Sequence, residues 1–415
     1  MAKHKLISAV DIGTSKITTL IGQLRDEDSQ KIHIIGVSSL PSKGLRKGQI
    51  VNIEEAVEVI TSSVEAAERM AGFNIAKVWV SVGGAHIGSQ NSHGVVAVSQ
   101  PQGEIGNDDV RRVLEAARAV SLPTSSEIIH VISKSFNVDN QEGVKDPIGM
   151  TGVRLEVETH IVTGSTTAIK NITKCISEVG CDISGLVYSG LASAMAVLTD
   201  TEKELGVVMV DLGGGTTDVA IFTDGALAYS SVLPVGARNV TNDLAIGLRI
   251  SLESAEKIKL HLGSIKTKED DLDLASLHLP EELKTVSYKT LAEGIIRPRL
   301  NEIFQLITSE IKKSGMGGLT PAGIVITGGG AMTVGIVESA KRVLSMPVRT
   351  GIPTGISGLI DDLETPAYST PVGILRYALT QSNEESGLGM MINSEKFPLK
   401  GALSKISGIL KSLLP

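Results

Sequence analysis

Two short segments combine acids, glycines and hydroxyl side chains at the end of an apolar run. The first, "AVDIGTSKITTLIG", begins at Ala9, and the second, "MVDLGGGTTDVAIF", begins at Met209. Each pattern predicts a buried strand, a tight turn and a second strand. Glycine at such a turn leaves backbone N–H groups open to a phosphate, whereas a β-carbon would screen them. The repetition therefore predicts a pair of phosphate-binding turns.

The acid that precedes each turn indicates a divalent cation. A carboxylate beside a phosphate would repel it unless a cation lay between them, so Asp11 and Asp211 are predicted to hold a hydrated Mg²⁺. Four hydroxyls can add hydrogen bonds to phosphate oxygens, and they belong to Thr14, Ser15, Thr216 and Thr217. The competing interpretation makes each segment a glycine-rich hairpin with a surface acid, but it leaves the repetition unexplained.

A third glycine cluster and one helix could complete the site. "AGIVITGGGAMTVGIVESAKRVL" predicts a buried strand, a glycine turn and a helix, and it could bring Gly328, Gly329 and Gly330 against a flat ring or its sugar. "SLESAEKIKLHLG" has helical spacing and places Glu256 and Lys259 on one face, where they could reach the ribose and base of a nucleotide. An ordinary surface ion pair remains the alternative for this pair. Neither a Walker loop nor a G-x-G-x-x-G pattern occurs.

Length and composition limit the possible classes of protein. A chain of 415 residues predicts two or more domains. A net charge of -7 and 3% aromatic residues argue against nucleic acid as the main partner. Cys175 and Cys181 are too few for a disulfide framework or a zinc site, and with no signal-peptide pattern the cytoplasm is expected. No apolar stretch reaches the length of a membrane span, so any membrane contact is expected to be peripheral.

Taken in order, the motifs resemble the nucleotide site of the actin, sugar-kinase and seventy-kilodalton chaperone superfamily. Longer strings are similar to the FtsA family of bacterial cell-division proteins over nearly the whole chain; they include "IIGVSSLPSKGLRKGQIVN", "DNQEGVKDPIGMTGVRLEVETHIVTG" and "ELGVVMVDLGGGTTD". The resemblance implies an α/β, actin-like (ribonuclease H-like) fold of two domains with mixed sheets flanked by helices. It also implies ATP and Mg²⁺ in the cleft between the domains, and an inserted subdomain of the FtsA type.

The same resemblance assigns residues to ATP. They are Asp11, Gly13, Thr14, Ser15 and Lys16 in the first turn, Asp211, Gly213, Gly214, Gly215, Thr216 and Thr217 in the second, Glu256 and Lys259 on the helix, and Gly328, Gly329, Gly330 and Met332 in the third. Two departures stand out. Where the chaperone pattern continues E-x-x-K with a serine, this chain has Gly263, which puts one polar contact to the base in doubt.

The second departure concerns hydrolysis. Hydrolysing relatives place a Glu or Gln near the start of the connecting helix to orient the attacking water, and here Ser189 or Gly190 occupies that place. Neither is a good general base, so tight ATP binding with at most slow hydrolysis is expected, and no catalytic residue is assigned.

The predicted domains follow the family pattern. They are domain 1A (1–84, 162–195 and 366–381), inserted subdomain 1C (85–161), domain 2A (196–228 and 303–365), subdomain 2B (229–302), a linker (382–397) and a terminal helix (398–415). Within 1C, "NDDVRRVLEAARAV" predicts a helix with its N-cap at Asn107. A later strand alternates apolar Val153, Leu155 and Val157 with Arg154, Glu156 and Glu158, which predicts one buried face.

The last segment, "FPLKGALSKISGILKSLLP", predicts an amphipathic helix on an anionic membrane surface. Pro398 suits a helix start. The apolar stripe is Leu399, Leu403, Ile406, Ile409, Leu410, Leu413 and Leu414, and the lysines are Lys400, Lys405 and Lys411. The competing interpretation is a terminal helix packed on the protein's own core, although the polar linker before it disfavours this.

The resemblance then implies a function. An ATP-binding scaffold would self-assemble with ATP, bind the C-terminal peptide of the tubulin-like protein FtsZ through subdomain 2B, and recruit later division proteins. The terminal helix would place it on the cytoplasmic face of the cell membrane at the septum. For the charged run "SIKTKEDDLDL" in 2B, a solvated loop is the alternative. Two other functions remain open: a PilM-type pilus-assembly scaffold and a sugar-kinase-like phosphotransferase.

Overall fold

The computed structural model describes residues 5–24, 31–99, 103–265, 271–281, 283–359 and 363–384. Numbered along the chain, the strands are β1 (Lys5–Ile12), β2 (Lys16–Leu24), β3 (Ile32–Pro41), β4 (Leu45–Arg46), β5 (Gln49–Ile50), β6 (Lys77–Val82), β7 (Gly88–Ala97), β8 (Ser126–Val138), β9 (Gln141–Val144), β10 (Arg154–Ser165), β11 (Asp182–Tyr188), β12 (Val207–Leu212), β13 (Thr217–Thr223), β14 (Ala226–Leu233), β15 (Asp271–Asp273), β16 (Thr285–Ser287), β17 (Ile324–Thr327), β18 (Val348–Thr350) and β19 (Ile356–Gly358). The helices are α1 (Ile53–Ala71), α2 (Asn107–Arg118), α3 (Thr166–Glu178), α4 (Ser189–Val197), α5 (Asp200–Leu205), α6 (Arg238–Leu248), α7 (Leu252–Ser264), α8 (Arg297–Ser314), α9 (Ile336–Leu344) and α10 (Ser369–Glu384).

The first lobe is built on a six-stranded sheet with the order β11-β6-β1-β2-β3-β19. Strands β1, β2 and β3 form an antiparallel meander, while β6 runs parallel to β1. Helix α1 packs against β2 and β3, and Gly22 of β2 leaves room for the Ile32 side chain, with Leu375 of α10 in ordinary contact beside it. Helix α1 begins where the Asn52 side chain accepts a hydrogen bond from the N–H of Glu55.

The second lobe repeats this construction with the sheet order β14-β13-β12-β17-β18. Strands β12 and β13 form an antiparallel hairpin, and β17 runs parallel to β12. The relation among β1, β2 and β6 therefore recurs in β12, β13 and β17. Both hairpins predicted from the glycine turns are confirmed, and the two carboxyl-terminal ends of β1 and β12 carry the predicted acids.

The inserted subdomain lies in the chain between the first-lobe elements β6 and α3. Its antiparallel sheet has the order β7-β10-β8-β9, and α2 packs on β7 and β10 over a separate hydrophobic cluster. The predicted N-cap at Asn107 is wrong: Gly106 is the N-cap, and the N–H of Gly106 donates to the Asp109 carboxylate over 3.2 Å. The acid in the first turn reaches back and satisfies the backbone, so the position before Asn107 becomes the boundary.

The predicted alternation in the last strand of this subdomain is confirmed only within β10. Leu155 and Val157 are fully buried, but Val153 precedes the strand and is 55% exposed. Its N–H donates to the Asp139 carboxylate at the end of the sheet. The buried face begins at Leu155, two residues after Val153, which is why an apolar side chain in register with that face still meets solvent.

Helices α4 and α10 cross where the two lobes join. A β-carbon added at Gly373 would lie 1.7 Å from the carbonyl oxygen of Ala192, so backbone meets backbone at the crossing. Residues of α4 pack in one cluster with Met209, Phe222 and Val325 of the second-lobe sheet. The crossing therefore links the two sheets through the shared core.

The region predicted as subdomain 2B contains α6, α7, the two-stranded sheet of β15 and β16, and a π-helical turn at Thr290–Ile296 that leads into α8. Part of the predicted hydrophilic run, residues 266–270, lies outside the described residues. Within the described part of the chain, no helix is both long enough and apolar enough to span a bilayer.

Candidate nucleotide site

The two hairpins end in turns of the same construction. In the first turn the N–H of Gly13 donates to the carbonyl of Lys16 over 3.1 Å, and in the second Gly213 donates to Thr216 over 2.9 Å. A β-carbon added at Gly13 would lie 2.8 Å from the carbonyl oxygen of Lys16, and one at Gly213 would lie 3.1 Å from that of Thr216. The sequence repeat is therefore a repeat of backbone geometry.

The fold brings these two turns into contact. A β-carbon on Gly214 would lie 1.8 Å from the hydroxyl oxygen of Ser15, and one on Gly215 would lie 2.8 Å from Cγ2 of Thr14. Any other residue at Gly214 would require Ser15 to shift, because the added β-carbon would also lie 2.9 Å from Cβ of Ser15. Bare backbone of one turn thus faces the hydroxyl side chains of the other, which is an arrangement that can enclose phosphate oxygens between N–H and O–H donors.

Backbone hydrogen bonds brace the second turn from behind. The N–H groups of Ala237 and Arg238 donate to the carbonyls of Gly213 and Gly214, each over 2.9 Å. The hydroxyl of Thr217 is fully buried and donates to a carbonyl in the same bracing segment. The structure therefore gives Thr217 a bracing role, in place of the open hydroxyl predicted from the sequence.

The first turn keeps its hydroxyl proton available. The N–H of Gly48, in the loop between β4 and β5, donates to the hydroxyl oxygen of Thr14 over 2.9 Å. A hydroxyl can accept one hydrogen bond and still donate another. Thr14 is consequently fixed in position with its proton free for an acceptor in the cleft.

Burial shifts the pKa values of the two predicted metal-binding acids in the same direction. It raises the pKa of Asp11 to about 6, a rise that a hydrogen bond from Ser81 and the charge of Lys16 oppose. Burial also raises the pKa of Asp211, which is 6% exposed. Carboxylates buried near each other disfavour the charged state unless a cation is close. A bound divalent cation would therefore stabilise both ionised side chains.

Two hydroxyls that the motifs do not predict hold Asp211. The Ser193 hydroxyl of α4 donates to Oδ2 of Asp211, and the Thr370 hydroxyl of α10 donates to the same oxygen over 3.0 Å. Ser193 lies in the segment "SGLASAMAVLT" and Thr370 in "YSTPVG", and nothing in either segment indicates a partner in the second lobe. The acid of the second turn is thereby tied to the helix crossing.

Lys16 is a cation within the field of both acids. Its ammonium lies 3.4 Å from the centroid of the Tyr368 ring, a cation–π contact. Burial lowers the pKa of Lys16 to about 8, and the charges of Asp11 and Asp211 oppose the fall. Lys16 therefore carries its charge at neutral pH, on the aromatic ring that precedes α10.

Asp218, the second acid of the "GGGTTD" segment, is 5% exposed and was not predicted as a site residue. Burial raises its pKa well above the usual range, and the charges of Asp211 and Asp11 add to the rise. A hydrogen bond to the Tyr188 hydroxyl lowers it. Its Oδ1 has no hydrogen-bond partner in the described part of the protein. A third acid thus lies near the predicted pair, in the strand that leaves the second turn.

The third glycine turn abuts the second hairpin. Gly328 has a φ of 81°, and a β-carbon there would lie 2.1 Å from Oδ1 of Asp211. Gly330 packs equally closely on Leu212, whereas Gly329 and Met332 are exposed. Because β17 pairs in parallel with β12, the turn after β17 necessarily lies beside the turn after β12.

Helix α7 approaches the third turn from the other side. Glu256 and Lys259 form an ion pair, with 2.7 Å between the Lys259 ammonium and Oε2 of Glu256, as in the alternative interpretation, although Lys259 is buried and the pair is not an ordinary surface pair. Gly263 lies one turn further along, and a β-carbon there would lie 2.4 Å from the carbonyl oxygen of Met332. The glycine that departs from the chaperone pattern is therefore the point where α7 meets the third turn.

The start of α4 contains no acid in its first turn. Ser189 is its first residue, and Gly190 packs against the Tyr188 ring. The position expected to orient a water thus holds a short hydroxyl side chain and a glycine. The predicted membrane residues, from Leu399 to Leu414 with the three lysines, lie outside the described residues, as do residues 385–398.

These features fit a magnesium-bound nucleotide. Mg²⁺ in nucleotide sites keeps several waters and phosphate oxygens and takes only one or two carboxylates from the protein. Asp11 and Asp211 match that requirement, and no group of three or more His, Cys, Asp or Glu side chains in the described residues could hold a metal by itself. The glycine turns supply N–H donors, and α7 with the third turn offers a place for the adenosine.

Solved structures with the same architecture define the class of protein. The type IV pilus biogenesis complex PilM–PilN contains a chain that matches with a TM-score of 0.64 and 14% identity over 90% of this chain and 98% of that one. MreB5 of Spiroplasma citri bound to AMPPNP matches with a TM-score of 0.54 and 14% identity, over 92% and 99% of the two chains. The chain therefore has the actin-like ATPase fold.

Family models and relatives then identify the branch. "SHS2 domain inserted in FTSA" matches residues 84–163, and "Cell division protein FtsA" matches residues 208–373. The cell division protein FtsA of Pseudomonas aeruginosa is 41% identical over 95% of this chain and 93% of its own length. The FtsA of Escherichia coli K12 is 37% identical over 90% of each chain. This chain belongs to the FtsA family of cell-division proteins.

Proposed function

We propose that this chain is an ATP-binding scaffold of cell division, which binds Mg²⁺ and ATP where the two hairpin turns meet. The observation that carries the proposal is the contact of Gly214 with Ser15 and of Gly215 with Thr14, beside the buried Asp211 and the partly buried Asp11. Bound Mg²⁺ would neutralise phosphate charge and the two carboxylates. The proposed ligands are the residues predicted from the sequence except Thr217, with Asp11 and Asp211 as metal ligands through water.

Each group of residues has a separate part in binding. The N–H groups of the turns and the hydroxyls of Thr14, Ser15 and Thr216 donate to phosphate oxygens. Lys16 supplies positive charge, and Gly328 to Met332 contact the adenosine. Thr217 supports the second turn through its bond to the Val235 carbonyl.

Direct binding measurements test the nucleotide part. We expect the chain to bind a fluorescent ATP analogue in the presence of Mg²⁺ and much more weakly with EDTA. Asp211→Asn should lose most of the Mg²⁺ dependence, because its side chain no longer carries the charge that attracts the ion. Asp224→Asn, which removes an acid outside the cleft at a tight turn, is the control and should bind normally. Equal affinity for ATP with and without Mg²⁺ would refute the metal assignment.

The chain is further proposed to hydrolyse ATP slowly. A positioned general base typically contributes about two to four powers of ten in rate, and the start of α4 offers none. Kinases, which do position a catalytic base, typically turn over at roughly 1 to 100 per second. We expect steady-state phosphate release below about 0.1 per second, and turnover at kinase rates would contradict the proposal.

Subdomain 2B is proposed to dock the C-terminal peptide of FtsZ. A surface pocket of about 280 Å³ supports this site; it is lined by Asp243, Gly294, Ile295, Pro298, Arg299 and Glu302. The Arg299 guanidinium donates to both carboxylate oxygens of Asp243, so these two charged side chains are fixed in position beside the apolar Ile295. Such a combination suits a short peptide with apolar and charged side chains.

A bulky residue in the pocket tests the docking site. Gly294 has open space where a side chain would be, and so does Gly318, which lies away from the pocket. We expect Gly294→Trp to weaken binding of an FtsZ C-terminal peptide at least tenfold, while the matched variant Gly318→Trp binds as the wild type does. Equal binding by both variants would move the FtsZ site elsewhere.

The tail from Pro398 to Pro415 is proposed to hold the protein on the cytoplasmic face of the cell membrane at the septum. A lysine-flanked apolar stripe favours an anionic bilayer surface. One tail would bind weakly, and self-assembly with ATP would strengthen attachment through multivalency. The inserted subdomain is proposed to make contacts between subunits or with other division proteins, within the domain boundaries predicted from the sequence.

Co-sedimentation with anionic liposomes tests the scaffold as a unit. We expect the full chain to sediment with liposomes, to do so more strongly with Mg²⁺ and ATP, and to carry FtsZ with it. Removal of residues 398–415 should abolish sedimentation while ATP binding persists. Unchanged sedimentation of the shortened chain would refute the membrane role.

A PilM-type pilus scaffold is the alternative closest in architecture, since the PilM–PilN complex shares the fold. A sugar-kinase-like phosphotransferase is the other alternative, and it would require a carboxylate base presented to a substrate hydroxyl. The identity of 37–42% to FtsA proteins over about 90% of the chain favours the division scaffold over both.

A further inference from the structure

A buried threonine connects the two charged residues of α7 to the neighbouring helix α6. The hydroxyl of Thr241 donates to Oε2 of Glu256 over 2.5 Å, and the ammonium of Lys259 donates to the hydroxyl oxygen of Thr241 over 3.0 Å. Thr241 is 3% exposed and Lys259 is 8% exposed. The sequence motifs point to the acid and the lysine but not to the hydroxyl between them.

The count of hydrogen bonds shows what this cluster leaves open. An ammonium has three N–H donors. Lys259 directs one to Thr241 and one to Oε2 of Glu256, which leaves one N–H available. Oε2 receives bonds from both neighbours. Oε1 of Glu256 has no partner in the described part of the chain, and 42% of this side chain is exposed. One acceptor and one donor are thus available side by side.

The orientation of α7 places these groups on the side of the third glycine turn. Residues three and seven positions apart share a helix face, so Glu256, Lys259 and Gly263 point the same way. Gly263 is in direct backbone contact with Met332 of that turn. Gly328, at the other end of the same turn, packs on the Asp211 carboxylate. The acceptor and donor therefore face the side of α7 on which the nucleotide is proposed to bind.

An adjacent acceptor and donor match a vicinal diol. One hydroxyl of a diol can donate to the open carboxylate oxygen, while the oxygen of the next accepts from the ammonium. Ribose presents such a pair in its 2′- and 3′-hydroxyls, and a deoxyribose lacks one of them. A site that bonds both hydroxyls binds a ligand without one of them more weakly, because a hydrogen bond to a charged group is then lost.

We propose that Thr241 is the positioning residue that makes this site select ribonucleotides, an inference that rests on the proposed ATP binding. Its hydroxyl fixes one oxygen of Glu256 so that the other is presented in one orientation. It also holds the Lys259 ammonium beside that oxygen. Without the hydroxyl, the carboxylate can rotate and the ammonium loses an acceptor, so the pattern that recognises both hydroxyls of the ribose is lost.

Three proteins and three nucleotides test the proposal. Wild type, Thr241→Val and Thr241→Ser are compared for the affinity of ATP, 2′-deoxy-ATP and 3′-deoxy-ATP in the presence of Mg²⁺. Valine keeps the branched shape without the hydroxyl, and serine keeps the hydroxyl. Thermal melting without nucleotide shows whether each variant is folded.

We expect the wild type to prefer ATP to each deoxynucleotide by about tenfold or more, the usual size of a hydrogen bond to a charged group. Thr241→Val should reduce that preference to within about twofold, chiefly by weakening ATP, and Thr241→Ser should restore it. Equal weakening of all three nucleotides in the valine variant would overturn the proposal, and so would a serine variant that fails to restore the preference.

The outcomes separate this inference from the proposed function. A wild type that binds ATP and both deoxynucleotides equally well refutes the selection of ribose but leaves ATP binding intact. A wild type that binds none of the three refutes the proposed nucleotide site itself, together with the role of Thr241.

Discussion

Close backbone contact decides how the two phosphate turns approach each other. Gly214 and Gly215 leave no space for a β-carbon because Ser15 and Thr14 occupy it. The hydroxyls that face the cleft are therefore also the side chains that set the separation of the lobes. The proposed nucleotide binding and the separation of the lobes therefore depend on the same few atoms.

Gly214→Ala should weaken ATP binding by at least about tenfold. Its methyl group would lie 1.8 Å from the hydroxyl oxygen and 2.9 Å from Cβ of Ser15, so Ser15 must shift and its hydroxyl no longer points to the same place as the other donors. Titration with a fluorescent ATP analogue measures the loss. Gly106→Ala, where an added methyl group meets open space, is the matched control. Wild-type affinity in the Gly214 variant would contradict the role given to this contact.

A buried histidine connects three elements of the first lobe and the inserted subdomain. His130 of β8 accepts a hydrogen bond from the N–H of Tyr188 over 2.9 Å, at the boundary of β11 and α4. Its ring also packs against the Tyr377 ring of α10, with 5.4 Å between the centroids. The start of one crossing helix and the middle of the other are thus fixed to the inserted sheet.

This histidine should make stability depend on pH in a defined direction. Burial lowers the pKa of His130 from 6.5 to about 4. Between these two values the unfolded chain binds a proton that the folded chain excludes, so stability falls as the pH decreases from 6.5 towards 4, and it is unaffected above that window. The buried acids of the cleft have raised pKa values and act in the opposite direction, so a variant must isolate the histidine.

Comparison with His130→Gln isolates its contribution. We expect the variant to melt at a lower temperature than the wild type at pH 8, because packing is disturbed. The difference in the free energy of unfolding should shrink by up to about 3 kcal/mol as the pH falls to 4.5, because only the wild type contains a histidine whose protonation is suppressed by folding. Thermal melting at several pH values between 8 and 4.5 gives the result. A constant difference across this range would show that His130 does not titrate as described.

The crossing of α4 and α10 leaves no space for an added side chain. Gly373→Ala would place a methyl group 1.7 Å from the Ala192 carbonyl oxygen, and neither backbone can yield without shifting a whole helix. We expect a loss of about 3 kcal/mol or more in the free energy of unfolding. Gly294→Ala, a helical glycine with open space around it, should instead be neutral or stabilise by up to about 1 kcal/mol. Denaturant unfolding of both variants checks the contrast, and similar effects would be inconsistent with a tight crossing.

The inserted subdomain also contacts the second lobe, so the chain joins its two halves in more than one place. His160 of β10 lies with one ring nitrogen 2.8 Å from the Ser230 hydroxyl of β14 and the other 2.7 Å from the Asn91 side chain. The Ser89 hydroxyl donates to the Ser230 carbonyl over 2.6 Å. Strand β14 leads directly to the segment that braces the second phosphate turn. The subdomain and the phosphate turn are therefore separated by a single strand.

Ser230→Ala should loosen the inserted subdomain without unfolding either lobe. The loss of a buried hydrogen-bond partner for His160 should cost about 1–3 kcal/mol locally, so amide exchange in β7 and β10 should rise by roughly tenfold. Hydrogen exchange followed by mass spectrometry measures this. Ser231→Ala removes a neighbouring hydroxyl that bonds Glu310 within the second lobe, and it should leave β7 and β10 unchanged. Identical exchange in both variants would mean that the bridge carries no coupling.

Much of the site was predictable because its determinants are local. A turn between adjacent strands depends on the residues within it, so Gly13, Gly213 and the acids before them could be recognised without the fold. The duplicated motif likewise predicted two strand–turn–strand hairpins, which the structure confirms. Local prediction was wrong at Asn107, where the reach of the Asp109 side chain decided the helix boundary, and at Val153, where the end of the sheet decided burial.

The sequence by itself determined the hairpins, the glycines, the charged pair on α7 and membership of a family, because each depends on residues that are neighbours in the chain or on whole strings. Only the tertiary structure decided which distant groups complete them. Ser193 and Thr370 reach Asp211 from 18 and 159 residues away, and Thr241 reaches Lys259 from 18. Hydroxyl side chains are common and show no characteristic spacing in the sequence. Their hydrogen-bond partners are therefore decided by how the helices pack against the sheets.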